Sequence, residues 1–207
     1  MTVVESRLVD LGFTLPPPPE PIGNYLSASR SGNLMWMAGV GSRRADGSRI
    51  SGKLGADLTV EQGYEAAQWC ALNLLARMKV ELGDLDRVAG ILKVVGMVNS
   101  SPDFEEQAKV IDGASDLFVE LFGEAGQHSR SAPGMAVLPS NRAVIVYCVI
   151  AISEGSRPNT GANKPSETEI RSKSDTPRAN YCPGRVFRVL YFVRSGPNER
   201  IPEEALA

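Results

Sequence analysis

Apolar residues are spread unevenly along the chain, and two runs are nearly unbroken: Leu34-Met35-Trp36-Met37-Ala38-Gly39 and Val144–Ile152. A strand with one wet face alternates apolar and polar residues, whereas a strand apolar at every position is buried on both faces. Both runs are therefore predicted as strands that need cover on two sides. The second run, taken as Ala143–Ile152, follows a predicted strand at Ser131–Leu138, and Pro139-Ser140-Asn141 supplies turn chemistry between them. His128–Ile152 thus reads as a hairpin with the cation Arg130 at its entrance. Further strands are expected at Ile22–Leu26 (an edge), at Ile50–Leu54 (short) and at Arg87–Val98. In the last of these, Gly90 and Gly96 mark bulges or close contacts. Ser29–Asn33 reads as a turn, and Gly41–Gly47 as a basic hairpin loop tipped by Asp46-Gly47.

Three segments carry helical spacing. Val3–Leu11 places Val4, Leu8 and Leu11 on one side and stops near Gly12. Thr59 is the natural N-cap of a longer helix, with Gln62 completing a capping box and Gly83 ending it. Its stripe runs through Val60, Tyr64, Ala67, Ala71, Leu74 and Leu75, Met78 and Leu82. Asp103–Phe122 is the third helix, with Gly113 a weak point worth roughly 1 kcal/mol relative to Ala. The predicted order is β-β-(β)-α-β-α-β-β, an α+β chain in which two helices cover one face of a mixed sheet. The other face still carries Leu, Met, Val and Ile. A patch that large is not left wet, so a symmetric homo-oligomer with the open faces turned inward is expected.

Composition divides the chain further. Leu15–Pro21 (LPPPPEP) is a stiff, extended spacer that lays the N-terminal arm, residues 1–21, along the domain of residues 22–153. Residues 154–207 form a C-terminal extension. Its first part, to Asn180, has the polar composition of a disordered linker, and an apolar segment lies near 185–194. The whole chain has net charge −2, but Met1–Ser153 holds 13 basic against 17 acidic residues and the extension 9 against 7. A globular part at −4 lacks the basic footprint of a nucleic-acid binder. Cys70, Cys148 and Cys182 are far apart and form no CxxC or Cys/His cluster, so no metal site is expected. Free buried thiols suit a reducing compartment. The stretch MTVVESRLVDLG lacks a basic region followed by an apolar core and so does not read as a signal peptide, no run approaches about 20 apolar residues, and the expected location is the cytoplasm.

Several blocks resemble the Rid/YjgF family of reactive-intermediate deaminases, long labelled "endoribonuclease L-PSP". They are LPPPPEPIGNYLSASRSGNLMWMAG, GKLGADLTVEQGYEAAQWCALNLLARMKVELGDLDRV and VNSSPDFEEQAKVIDGASDLFVELFGEAGQHSRSAPGMAVLP, together with the last strand. The likeness spans residues near 5 to 153 and is greatest to the branch with a longer N-terminus. It implies a chorismate-mutase-like α+β fold assembled as a trimeric barrel, with ligand clefts between subunits. It implies no cofactor, and a small 2-imino or 2-keto carboxylate as the bound molecule.

The resemblance also assigns roles. Arg130 matches the arginine that clamps the substrate carboxylate, for which a planar guanidinium with paired donors is suited. Tyr25 matches a tyrosine lining the same cleft, and the backbone near Gly39 and Ala132 completes it. Ala132 stands where a cysteine is often found. Deaminating members carry a glutamate on the last strand that positions the attacking water. Ile145 occupies that position here, with Tyr147 as the neighbouring group able to orient a water through its hydroxyl. Arg130 and Tyr147 are therefore the candidate catalytic residues. His128, the one histidine, sits where it would meet the end of a helix.

Overall fold

The computed structural model describes residues 3–153. The expectations for the linker and for the apolar segment near 185–194 fall outside the described residues. In chain order the elements are α1 (Val3–Asp10), β1 (Ala28–Ser31), β2 (Leu34–Met37), β3 (Val40–Gly41), α2 (Val60–Leu82), β4 (Val88–Asn99), α3 (Gln107–Phe122), β5 (Ser129–Ser131), β6 (Gly134–Met135) and β7 (Val144–Ile152). The sheet runs β1-β2-β7-β4-β5, with β3 also on β7 and β6 also on β4. β7 is antiparallel to β2, β3 and β4, whereas β5 and β6 run parallel to β4. Helices α2 and α3 pack on each other and on one face of this mixed sheet, the α+β arrangement expected.

The helix signals act locally as read. Thr59 Oγ1 accepts from the Gln62 amide while the Gln62 side chain accepts from the Thr59 amide, and Gly83 closes α2 at φ 76°. What the periodicity did not convey is that α2 is buried all round from Cys70 to Met78. The proline arm supplies part of that cover: Phe13 and Leu15 pack on the core, and Pro18 and Pro19 line a narrow cleft with Arg77 and Val80 of α2. Gly113 is where the two helices meet most closely. A Cβ there would lie 2.1 Å from the Tyr64 carbonyl oxygen, so the weak point of α3 is the condition for its contact with α2.

Four expectations are corrected. Ser131–Leu138 does not form a hairpin with the last strand, because β4 lies between β5 and β7. The intervening α3 is a crossover, and a crossover returns the chain parallel to the strand it left. Pro133 separates β5 from β6 at the sheet edge, where its missing N–H costs nothing while its carbonyl accepts from Val98 N at 3.0 Å. Ile22–Leu26 forms no strand; the first strand is Ala28–Ser31, overlapping the expected turn at Ser29–Asn33 and paired with β2. Ile50–Leu54 makes only isolated bridges, Ser51 with Arg142 and Leu54 with Leu58 and Ser100. The third helix begins at Gln107 rather than Asp103, after a turn in which Phe104 N donates to Ser101 O.

Burial along β7 alternates. Val144, Val146, Cys148, Ile150 and Ile152 are buried beneath the helices, while Ile145, Tyr147 and Val149 face the other way. Trp36 and Tyr147 on that open face remain 42% and 37% exposed. One chain therefore covers one face of the apolar run. Among the described residues no helix is long and apolar enough to cross a membrane.

Candidate functional site

Arg130 lies on the edge strand β5 in register with Val94, and so on the helix-covered side of the sheet. Its Nη1 donates to Asp112 Oδ1 at 2.6 Å and to Ser115 Oγ at 3.1 Å, both on α3. Nε and Nη2, the other paired-donor edge of the guanidinium, carry no hydrogen bond among the described residues, and the side chain is 26% exposed. Ser115 Oγ also lies 3.0 Å from His128 Nε2, and His128 Nδ1 lies 2.7 Å from the Gly126 carbonyl. A carbonyl only accepts, so Nδ1 carries a proton, and in the neutral ring Nε2 then accepts from the Ser115 hydroxyl. The ring also meets Phe118 edge-on, with centroids 6.1 Å apart. His128 thus fastens β5 to the end of α3, and through Ser115 it steadies Arg130. Ala132, two residues on, packs against the core.

The remaining expected residues lie elsewhere. Tyr147 is in register with Val95, one residue along β4 from Val94, and faces the open side, opposite to Arg130. Ile145 faces the same open side, and a Cβ on Gly39 would be 3.2 Å from its Cγ2. Tyr25 is 49% exposed, its hydroxyl accepting from Ile22 N at 3.4 Å. A single chain therefore brings Arg130 beside Ala132, and Gly39 beside Ile145, but does not bring Arg130 to Tyr147. No carboxylate stands among the open-face positions of β2, β4 and β7.

Sequence reasoning missed a cleft of about 490 Å³ lined by Lys53, Ser100, Ser101, Gln107, Gly134 and Met135, among others. Lys53 Nζ is saturated there by Asn99 Oδ1 at 3.1 Å, Ser100 O at 3.3 Å and Ala136 O. Asn99 is fully buried and spends its amide on Gly52 O and Asn141 Oδ1. The cleft joins segments distant in the chain, and no local spacing marks it. Its lining offers one cation, Lys53, beside neutral donors and acceptors, and no carboxylate with which to form an acid–base pair. Among the described residues no group of three or more His, Cys, Asp or Glu could hold a metal ion. Cys70 and Cys148 are buried, which pushes both thiols far above their ordinary range and leaves them inert at neutral pH.

The family described as "YjgF/chorismate_mutase-like, putative endoribonuclease" matches residues 5–152. The chain belongs to that family. The match ends on the last residue of β7, so the family domain and the described fold coincide. Protein TCP17 of Trypanosoma cruzi is 42% identical over 151 residues, 72% of this chain and 94% of that protein. The crystal structure of protein Atu1372 of Agrobacterium tumefaciens, of unknown function, is similar at 41% identity and TM-score 0.67, over 72% of this chain and 92% of that one. A "putative endoribonuclease" from Shewanella oneidensis is similar at 38% identity and TM-score 0.70, over 73% of this chain and all of that one.

Proposed function

We propose that this family member binds small 2-keto or 2-imino carboxylates in clefts between the subunits of a homotrimer, with Arg130 as the carboxylate clamp, and that it is a binding protein rather than an efficient deaminase. The observation that carries the reading is the state of Arg130. Asp112 and Ser115 fix the guanidinium through Nη1, and the Nε–Nη2 edge stays free to meet a carboxylate with two parallel donors. Because β5 is an edge strand, Arg130 lies next to any copy packed on that edge. Tyr25 and Tyr147 are proposed to reach the cleft from neighbouring subunits. Hydrolysis lacks its acid: Ile145 stands at the water-positioning place, and loss of such a group costs about 10²–10⁴-fold in rate. The net charge of −4 over Met1–Ser153 and the absence of an acid–base pair on the open face argue against RNA cleavage. The reduced thiols Cys70 and Cys148 favour a cytoplasmic location.

Calorimetric titration with 2-ketobutyrate tests the proposal. Wild type is expected to bind saturably and Arg130→Ala to bind about tenfold or more weaker, the scale of a charge-assisted pair. Decay of imines generated by an amino-acid oxidase is expected to match buffer with both proteins. Saturable heat absent from wild type removes the binding reading. Imine decay accelerated by wild type and not by Arg130→Ala replaces it with the deaminase.

A further inference from the structure

Three arginines share one corner of the sheet's open face, and none makes an ion pair among the described residues. Arg43 and Arg49 face each other in an antiparallel bridge, and Ser51 bridges Arg142. Bridged residues point to the same side of the ladder, and so do residues two apart in an extended chain. Arg43, Arg49, Ser51 and Arg142 therefore project together. The side is set by Gly41, which pairs with the open-face residue Ile145. A Cβ on Gly41 would lie 2.2 Å from Arg142 Nη1, so the guanidinium is laid across the glycine. A neighbouring alanine would occupy that space. The acids closest in the chain are engaged elsewhere: Asp46, at the tip of the same loop, accepts from the Ser48 amide, Asp57 accepts from the Lys53 amide, and Glu65 pairs with Arg44.

Like charges brought together without a carboxylate repel, and a half-buried guanidinium also loses hydration. Burial first, and then the charges of Arg49 and Arg43, hold Arg142 below the ordinary guanidinium value, against the opposing effects of Cys70 and Tyr25. A solvated surface arginine extends into water, whereas Arg142 is half-buried and makes no hydrogen bond through its guanidinium among the described residues. An oxyanion relieves both costs, because it supplies opposite charge and acceptors for the paired donors.

We infer that Arg142, with Arg43 and Arg49 projecting from the same side, is a second anion site on the open face, separate from Arg130, that takes small dianionic oxyanions such as a phosphate group or a dicarboxylate. The site is adjacent to Gly39 and Ile145, so an anion held there sits at the face where the first proposal places the cleft. Three cations that no carboxylate pairs among the described residues favour a ligand of charge −2 over a monocarboxylate.

The experiment uses the full-length protein with orthophosphate and 2-ketoglutarate as probes and 2-ketobutyrate as the monoanion. Equilibrium dialysis is expected to show saturable phosphate binding that Arg142→Gln weakens about tenfold or more and Arg49→Gln several-fold. Arg142→Lys, which keeps the charge and loses the fork, is expected to fall between wild type and Arg142→Gln. Lys109→Gln removes the same charge from the exposed surface of α3 and is expected to leave phosphate binding within about twofold. 2-Ketoglutarate is expected to bind about tenfold tighter than 2-ketobutyrate. Equal phosphate affinity in wild type and a folded Arg142→Gln overturns the inference. So does a wild type that binds neither dianion while Arg142→Gln loses its oligomeric mass, since the guanidinium then meets a carboxylate of a second copy. Phosphate binding without 2-ketobutyrate binding removes the Arg130 reading and leaves this one standing. Binding of 2-ketobutyrate by wild type and Arg142→Gln alike, without phosphate binding, does the reverse.

Discussion

Gly113 shows how far a residue's meaning depends on what it touches. By helix propensity, Gly113→Ala would stabilise α3 by about 1 kcal/mol. The Tyr64 carbonyl oxygen lies 2.1 Å from where the methyl would go, and that atom belongs to the backbone of α2. The helices would have to part, and overpacking of this kind costs about 1–3 kcal/mol. Gly113→Ala is therefore expected to lower the urea midpoint, with unchanged far-ultraviolet dichroism; a raised midpoint would mean that the helices separate freely. The same contrast holds for the site. Arg130, Tyr147 and Ile145 were legible as chemically notable residues. Their sides of the sheet were not, because strand parity follows from pairing: Arg130 with Val94 and Tyr147 with Val95 place the two on opposite faces. Arg142 is not marked by the sequence, since nothing local says that Gly41, 101 positions earlier, lies beneath it.

At the scale of elements, α1 is docked by its own end. Val3 N and Val4 N each donate to the Asp86 carboxylate at 2.9 Å, Arg7 Nη1 donates to Leu121 O at 2.9 Å, and Lys79 pairs with Glu5. Burial raises Asp86, but the two amide donors, with Lys79 and Arg7, outweigh it and hold the carboxyl below its ordinary value. A depressed carboxylate stabilises the fold above its unfolded pKa, about 4, and loses that contribution as pH falls through the lower folded value. Asp86→Ala is thus expected to be less stable than wild type near neutral pH, with the two converging in acid, as urea midpoints from about pH 7 down to 3 would show. A constant difference across that range would mean that Asp86 acts by packing alone. The helices α1 and α2 were readable because their caps and stripes are local. The hairpin at His128–Ile152 was misread because two strands close in sequence are ordinarily neighbours, and the apolar pattern does not record that α3 has carried β5 to the far side of β4.

For the whole molecule the open face is the governing feature. Trp36, Ile145, Tyr147 and Val149, with Val95 and Met97 of β4, form an apolar surface that one chain leaves uncovered. Native mass measurement at micromolar concentration is expected to give a trimer, and Trp36→Lys to shift it toward monomer without loss of secondary structure. A wild-type monomer would remove the inter-subunit cleft. The amino-acid sequence by itself determined that α2 is capped by Thr59 and ended by Gly83, that Val144–Ile152 is a strand and that two helices serve one sheet. These rest on caps and periodicities complete within a few residues. Only the tertiary structure decided that β5 lies across β4 from β7, that Asp112 and Ser115 hold Arg130 by one edge, and that Arg43, Arg49 and Arg142 converge. Each of these joins residues far apart in the chain, and the free energy that fixes them is the burial of the shared core rather than any local preference.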